Sequence, residues 1–241
     1  MDERRRAENE TLKEGLVFVI DDDQDVRTAL GSLLRAVGYD VSTRCGVEGF
    51  AESGLPERPC CLLLDIHLRG ASGLDFQRSL AERRVAIPVV LLTGAGTIPM
   101  SVRGMKAGAI DFLSKPLRVE AVLGAVAEAL DIDRRRREGR SFEREVRDGF
   151  GTLSPREREV MGFVAAGLMN KQIAGQLGLS EITVKIHRGN VMRKMRAQSL
   201  PDLVLMAELL DVRAATGRFG SKCGDLREAF EPNMLPRRTL G

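Results

Sequence analysis

The segment 16-LVFVIDDD-23 joins five consecutive apolar residues to three aspartates. A short apolar run without alternation that ends in acidic residues is typical of a β-strand buried on both faces. Residues 25–37 follow with apolar side chains at helical spacing, and Gly38 ends that pattern. Because a buried strand followed by an amphipathic helix is the first half of a βαβ unit, the segment predicts an α/β fold with a parallel sheet.

The same alternation of strand and helix patterns continues to Leu130. Five strands that alternate with five helices predict a doubly wound, five-stranded parallel sheet. The further strands are expected around Val41 and at Cys61–Leu64, Val89–Leu92 and Ile110–Leu113, and the further helices at 47–51, 73–83, 98–107 and 117–130.

Polar residues stand at the carboxyl ends of four of these strands, where sheets of this kind bind ligands. They are Asp21-Asp22-Asp23, Asp65, Thr93 and Lys115-Pro116. We expect Asp23 to cap the next helix. Converging carboxylates repel one another unless a cation lies between them, and Mg²⁺ accepts one or two carboxylates together with water. A remaining carboxylate can attack phosphorus, with a hydroxyl and an ammonium group beside the phosphoryl oxygens.

The spacing of VIDDD, LLLDI, LLTG and DFLSKP within residues 15–130 resembles the receiver domain of two-component response regulators. The resemblance implies that Asp65 is the phosphoacceptor and that a sensor histidine kinase is the phosphoryl donor. It implies these further roles: Mg²⁺ ligands Asp21, Asp22, Asp65 and the main chain of His67; phosphoryl contacts Thr93 and Lys115, with a cis Lys115–Pro116 bond; and an aromatic switch at Phe112.

One segment departs from that family pattern. Arg69 stands where a proline is frequent, and Gly70 follows it. We expect a looser loop after the phosphorylation site, without loss of a catalytic group.

Charge divides the chain into an acidic front and a basic back. Residues 1–130 contain 16 Lys or Arg and 19 Asp or Glu, whereas residues 131–241 contain 21 and 15. A basic segment is often only a solvated helix face, but it is also what a nucleic-acid-binding domain requires.

The basic half predicts a compact all-α domain over residues 151–211. Ser154-Pro155-Arg156-Glu157 has the form of a capping box, with proline at the first helical position. Asn170 is expected to cap a helix through Leu177, and Ser180 to cap the helix Glu181–Met195 after a Gly178 turn. A last helix is expected from Ser199 to Leu210. Packing positions on the third helix are expected at Ile182, Val184, Ile186, Val191, Met192 and Met195.

Two helices joined by a short turn, the second of them basic, fit a DNA-reading helix-turn-helix or a plain helical bundle. The opening LSPREREV and the run NKQIAGQLGLSEITVKIHRGNVMRKM resemble the LuxR-type helix-turn-helix of the FixJ/NarL class. The resemblance implies DNA contacts, with Gly189 departing from relatives that carry a long side chain there. Base edges are assigned to Lys185 and Ile186, the same surface to Arg188, Gly189 and Asn190, and phosphates to Lys171, Thr183, Arg193 and Lys194.

Residues 131–150 form a linker for which a helical extension and a partly ordered connector both remain open, because Gly139 interrupts the apolar pattern. Residues 212–241 are expected to be a flexible tail. The sequence has no apolar run of bilayer-spanning length, and residues 1–15 have no apolar core, so we expect neither a membrane span nor a secretion signal. Its four cysteines show no metal-binding spacing, which indicates free thiols in a reducing cytoplasm.

Together these patterns predict a DNA-binding response regulator rather than an enzyme, its only chemistry being Mg²⁺-dependent phosphoryl transfer to Asp65 and its reversal. Phosphorylation is expected to favour a homodimer on promoter DNA, with RNA polymerase a further candidate partner. The expected dimer surface lies on the fourth helix, fifth strand and fifth helix of the receiver, at Val102, Met105, Lys106 and Phe112.

Two alternatives stay open. One is a regulator that binds DNA without phosphorylation and uses its receiver for dimerisation. The other is a phosphatase with Asp21 of the Asp21-x-Asp23 sequence as nucleophile, which leaves the helix-turn-helix unexplained.

Overall fold

A computed structural model describes residues 15–94 and 98–212 of the chain. The described residues divide into two compact units, an N-terminal unit that ends at Ser141 and a C-terminal unit that begins at Phe142. The predicted tail falls almost entirely on residues 213–241, outside the described residues. Among the helices of the described ranges, none is long and apolar enough to cross a membrane.

The N-terminal unit contains the predicted five-stranded parallel sheet, with strand order β2-β1-β3-β6-β7. A separate two-stranded antiparallel hairpin, β4–β5, follows β3. The strands are β1 (Leu16–Ile20), β2 (Asp40–Arg44), β3 (Cys60–Asp65), β4 (His67–Leu68), β5 (Ala71–Ser72), β6 (Val89–Thr93) and β7 (Asp111–Ser114).

Helices cover both faces of this sheet, as a doubly wound fold requires. Val17 and Val19 of β1 lie in the apolar cluster that includes α1 and α4. Phe18 and Ile20 lie in the opposite cluster, with α2. The helices of this unit are α1 (Gln24–Ala36), α2 (Gly73–Glu82), α3 (Ile98–Lys106) and the first part of α4 (Val119–Gly151).

The helix expected at residues 47–51 is wrong, because that stretch forms turns. Gly49 and Gly54 have φ values of 67° and 70°, a left-handed conformation that ends helical propagation. Phe50 is nevertheless buried, at 3% exposure, so the apolar pattern correctly identified an inward-facing side chain. A single inward residue in a turn explains the misassignment.

The segment after β3 is a tight hairpin rather than the expected looser loop. His67 pairs with Ser72 and Leu68 pairs with Ala71, so that only Arg69 and Gly70 form the connection. Gly70 has a φ of 80°, which glycine adopts without strain. Arg69 therefore lies at the tip of a short, paired element directly after Asp65.

Gly73 makes the closest backbone approach near that element. A Cβ atom at Gly73 would overlap the main-chain oxygen of Asp65. We predict that Gly73→Ala lowers the free energy of unfolding of the N-terminal unit by about 1–3 kcal/mol, because the end of β3 must move. Pulsed hydrogen exchange in increasing urea, read from peptides of β3, measures this effect.

Gly124→Ala is the matched control, since Gly124 lies in α4 with open space around its Cβ position. That substitution should leave stability unchanged or raise it slightly, because alanine favours helix. Equal effects of the two substitutions would contradict the role given to Gly73.

The C-terminal unit contains the predicted helical domain, with helices α5 (Pro155–Ala165), α6 (Asn170–Leu177), α7 (Glu181–Met195) and α8 (Leu200–Leu209). Ser154 and Glu157 form the expected capping box, and Ser180 and Ser199 cap α7 and α8. The expectation for Asn170 is wrong: Met169 is the N-cap residue of α6, and its N–H donates to the Gln172 side chain at 2.8 Å. Gln172 thus satisfies the N–H of the N-cap residue, while the Met169 side chain makes no capping hydrogen bond.

Helix α4 runs without a break through the stretch for which the sequence left two possibilities. It continues past Gly139 to Gly151 and is 33 residues long. Within the N-terminal unit, the fully buried Asp133 accepts hydrogen bonds from the Cys60 N–H at 2.9 Å and from Arg137 at 2.7 Å. Cys45, Cys60 and Cys61 are free thiols, whereas Cys223 lies beyond the described part of the chain.

Candidate functional site

Four strands of the sheet bring acidic, hydroxyl and ammonium groups to one edge. Asp21 and Asp22 directly follow β1, Asp65 ends β3, and Thr93 ends β6. Lys115 directly follows β7. The carboxylates of Asp21, Asp22 and Asp65 offer oxygen atoms that all lie within 4.8 Å of one another. Short apolar strands with polar ends therefore produce the cluster that the sequence predicted.

Lys115 bridges two of these carboxylates. Its Nζ lies 2.7 Å from Asp21 Oδ2 and 2.7 Å from Asp65 Oδ2, and both aspartates are buried. Burial acts to lower the pKa of Lys115, but hydrogen bonds with Asp21 and Asp65 outweigh it and raise the pKa above its ordinary value. The ammonium group therefore stays charged at neutral pH. The Lys115–Pro116 peptide bond is cis, as the resemblance implied.

Main-chain N–H groups orient the same two carboxylates. The Asp23 N–H donates to Asp21 Oδ1 at 2.9 Å, and the His67 N–H donates to Asp65 Oδ1 at 3.1 Å. Burial raises the pKa of Asp21 above its ordinary value, although hydrogen bonds from Lys115 and Asp23 act in the opposite direction. Asp23 also caps α1 through its side chain, as predicted. Each buried carboxylate is thus held from two sides in a defined orientation.

The cluster fits a hard divalent cation. Magnesium prefers oxygen ligands and takes one or two carboxylates together with water, and Asp21, Asp22 and Asp65 supply such oxygens in one place. Two of the three carboxylates are buried, so the repulsion among the three that Lys115 leaves uncompensated favours a further cation. The donor set therefore fits Mg²⁺.

Thr93 and Phe112 lie on the neighbouring strands β6 and β7. Thr93 is fully buried and pairs in register with Ser114, and its carbonyl accepts the Lys115 N–H at 2.6 Å. Phe112 is partly buried and packs against the apolar cluster that contains Leu91. The β6–β7 ladder therefore carries the hydroxyl and the aromatic ring, and the lysine directly follows its last pair.

Two arginines beside the acidic cluster were not predicted as functional. Arg69 Nε lies 3.2 Å from Asp22 Oδ2, and an Arg27 guanidinium nitrogen donates to the Asp21 carbonyl at 2.6 Å. The sequence singled out Arg69 only as a departure from a family pattern. The missing proline was the available signal, but the contact itself depends on the hairpin geometry.

Helix α7 of the C-terminal unit has a stripe of exposed residues that are one and two turns apart. The stripe consists of Ile182, Lys185, Ile186, Gly189 and Arg193. Ile182 and Ile186 are 73% and 59% exposed, so the expectation that they pack in the core is wrong for both. Val184, Val191 and Met195 are buried and form the packing face as predicted. Apolar side chains exposed on a basic helix indicate a contact surface.

The polar residues assigned to DNA lie on or beside this stripe. Lys171 is exposed on α6, and Arg188 of α7 donates to the Asn170 side chain at 3.2 Å. Thr183 lies in the first turn of α7, with its hydroxyl 2.8 Å from Ser180 Oγ, and Arg193 reaches Asn190 at 3.5 Å. The turn between α6 and α7 uses Gly178 with a φ of 64°. The two helices thus form one partly basic surface within this unit.

Lys194 is placed differently from the other assigned bases. Its Nζ lies 2.6 Å from the Glu157 carboxylate and 3.1 Å from the Thr152 carbonyl. Glu157 is buried, and its hydrogen bond with Lys194, together with the Ser154 N–H, lowers its pKa to about 2. This pairing favours a structural role for Lys194 over contact with phosphate.

We predict that Glu157→Gln lowers the free energy of unfolding of the C-terminal unit by about 1–3 kcal/mol at pH 7. Because the folded pKa is depressed, this contribution is present above the ordinary pKa of 4.5 and is lost as the pH falls toward about 2. Pulsed hydrogen exchange in urea on peptides of α5 should therefore show a difference between variant and wild type that shrinks from pH 7 to pH 3.

Glu159→Gln provides the control, because Glu159 pairs with Arg156 on the exposed face of α5. Its effect should stay below about 0.5 kcal/mol at both pH values. A Glu157 effect that did not change with pH would contradict the ion-pair explanation.

Two family models match the chain. Residues 17–127 match the response regulator receiver domain, and residues 151–207 match the bacterial regulatory proteins of the luxR family. Nodulation protein W of Bradyrhizobium diazoefficiens is 49% identical over 205 residues, which cover 85% of this chain and 90% of that protein. The chain belongs to the response regulators that carry a LuxR-type DNA-binding domain.

Further similarities agree with this membership in the response regulator family. The response regulator protein TmoT of Ectopseudomonas mendocina is 42% identical over 82% of this chain and 90% of that protein. The solved structure of the response regulator StyR is 44% identical, with a TM-score of 0.72, and covers 81% of this chain and 98% of that chain. This response regulator therefore shares both its receiver fold and its helical domain with two-component transcriptional regulators.

Proposed function

We propose that phosphorylation of Asp65 switches this response regulator between states that differ in DNA binding. The observation that carries the proposal is the buried pair of carboxylates bridged by Lys115, with Asp22 beside them. Such a site combines a nucleophilic oxygen with cationic groups that can hold a phosphoryl group.

In the proposed transfer, an oxygen of the Asp65 carboxylate attacks the phosphorus atom of a phosphohistidine on a sensor histidine kinase. The new P–O bond forms as the P–N bond breaks, and the imidazole leaves with that electron pair. Asp21, Asp22, Asp65 and the main chain of His67 would hold Mg²⁺, which neutralises charge on the phosphoryl oxygens. Thr93 and Lys115 hold further phosphoryl oxygens, and Phe112 turns inward as Thr93 engages them.

The proposed output is binding of double-stranded promoter DNA through α7. Lys185 and Ile186 contact base edges in the major groove, with Arg188, Gly189 and Asn190 on the same surface. Lys171, Thr183 and Arg193 lie where phosphate contacts anchor the helix, adding a salt-dependent component to the affinity. Because the protein must meet both the proposed kinase and promoter DNA, we propose that it is located in the cytoplasm.

Dimerisation is proposed as the link between the two functions. Val102 and Met105 of α3 are 46% and 48% exposed, and Lys106 follows them on the same helix. Apolar side chains exposed together with Phe112 nearby on β7 are suited to a contact between two receivers. Two paired copies can present two α7 helices to half-sites one DNA turn apart, where RNA polymerase is a further candidate partner.

Selection of bound fragments from genomic DNA tests this function. Full-length protein, with and without acetyl phosphate and Mg²⁺, is incubated with sheared DNA, and the retained fragments are sequenced. We expect enrichment of two-fold symmetric sites in the phosphorylated sample. Equal enrichment in both samples would favour the phosphorylation-independent alternative, and no enrichment in either would contradict DNA recognition.

A further inference from the structure

Arg69 places a guanidinium group on one carboxylate of the acidic cluster. Its Nε lies 3.2 Å from Asp22 Oδ2, although the Arg69 side chain is 89% exposed and the Asp22 side chain only 24%. The Arg69 side chain therefore lies on the solvent side of Asp22 and contacts the carboxylate with one nitrogen. Its position is therefore compatible with release when another cation approaches.

The hairpin β4–β5 holds Arg69 in this place. Leu68, directly before Arg69, is buried at 8% exposure, and its pairing with Ala71 fixes the two-residue connection. The base of the segment is closed because the Ile66 N–H donates to Leu92 and the Gly73 N–H donates to Ile66, both at 2.9 Å. The backbone that carries Arg69 is thus tied to β6 through Ile66, and its two ends are joined to each other.

Every carboxylate of the cluster then contacts a tethered cation. Lys115 contacts Asp21 and Asp65, and Arg69 contacts Asp22. The family resemblance explains Lys115 but assigns nothing to Arg69. Arg69 therefore adds a second side-chain positive charge to the cluster, beside that of Lys115.

We propose that Arg69 is a positioning residue that competes with the divalent cation for Asp22 and thereby weakens Mg²⁺ binding. The inference rests on the proposed function, since it requires a metal site at Asp21, Asp22 and Asp65. Arg69 must leave Asp22 Oδ2 before that oxygen can coordinate a metal, and its charge repels the incoming ion. A proline at this position would exert neither effect. This chain therefore needs a higher Mg²⁺ concentration to fill its site than a receiver with proline there would need.

Calorimetric titration of the full-length protein with Mg²⁺ at low ionic strength tests the proposal. We expect Arg69→Ala to bind Mg²⁺ about 3- to 10-fold more tightly than wild type, because the substitution removes an exposed, solvent-screened positive charge from one carboxylate of the site. Arg69→Lys keeps the charge and should stay close to wild type. The gain in Mg²⁺ affinity of Arg69→Ala should shrink in about 0.5 M KCl, because the Debye length is then only about 4 Å and the charge of Arg69 is largely screened.

Arg78→Ala is the matched control, because Arg78 is exposed on α2 and pairs with Asp75 rather than with the cluster. It removes the same charge and should leave the Mg²⁺ affinity unchanged. An unchanged or weakened affinity in Arg69→Ala would overturn the proposal, and so would an equal gain in Arg78→Ala. Absence of Mg²⁺ binding in wild type and Arg69→Ala alike would overturn the metal site itself, and the competition with it.

Discussion

Asp65→Asn should abolish phosphoryl uptake from acetyl phosphate while the receiver fold is retained. Asparagine has nearly the same volume as aspartate but lacks the anionic oxygen that attacks phosphorus. The substitution weakens the Lys115–Asp65 ion pair, but it also removes the negative charge beside Asp21, and Lys115 keeps its pairing with Asp21. The loss of the reaction should therefore not be accompanied by unfolding.

Intact mass spectrometry after incubation with acetyl phosphate and Mg²⁺ counts the phosphoryl groups on the protein and so tests this prediction. Wild type should gain one phosphoryl group, and Asp65→Asn should gain none. Asp25→Asn is the matched control, because Asp25 is an exposed aspartate in the first turn of α1, and its uptake should equal that of wild type. A phosphoryl group on Asp65→Asn would move the phosphorylation site to another carboxylate, with Asp21 the first to examine.

Lys185→Ala should produce the largest loss of DNA affinity among single changes on α7. Lys185 is exposed at the centre of the stripe between Ile182 and Gly189, where a helix in the major groove comes closest to the bases. Loss of a base contact costs about 1–3 kcal/mol, or about 5- to 150-fold in Kd. If Lys185 contacts a base, the Lys185→Ala variant should also discriminate less between base pairs at the contacted position.

Fluorescence anisotropy with a duplex taken from the genomic selection measures the Kd of phosphorylated full-length protein. Arg156→Ala is the control, because Arg156 is an exposed base of the same unit on α5, paired with Glu159 at 2.7 Å. It should change the Kd less than about twofold, because surface ion pairs contribute little. Equal losses on specific and unrelated DNA would make Lys185 a phosphate contact, and no loss at all would contradict the assignment of α7.

The sheet and its acidic edge could be predicted because short-range patterns determine them. Each buried strand is a short apolar run, and parallel strands bring their polar ends to one edge whatever the details of packing. The helix expected around Phe50 failed for the same reason, since one inward side chain in a turn resembles a helical position. The two glycines with positive φ on either side decide against a helix, but sequence alone does not show which conformation a glycine adopts.

Contacts between distant residues account for what the sequence could not predict. Arg69 and Asp22 lie 47 positions apart and meet because Asp22 follows β1 and the hairpin follows the neighbouring strand β3. Lys194 appeared to be one base among many on α7 until its pairing with Glu157 showed a structural partner. Ile182 has the spacing of a core residue yet is exposed, because α7 turns a different face toward the core. Periodicity gives the faces of a helix but not which of them is covered.

The effect of phosphorylation on DNA binding can be measured in a paired titration. Full-length protein is titrated into the selected duplex before and after treatment with acetyl phosphate and Mg²⁺, with the phosphorylated fraction determined by intact mass. We expect the Kd to be lower by about 10-fold or more after phosphorylation, because allosteric coupling free energies are typically about 1–3 kcal/mol. The same Kd in fully phosphorylated and unphosphorylated protein would contradict it.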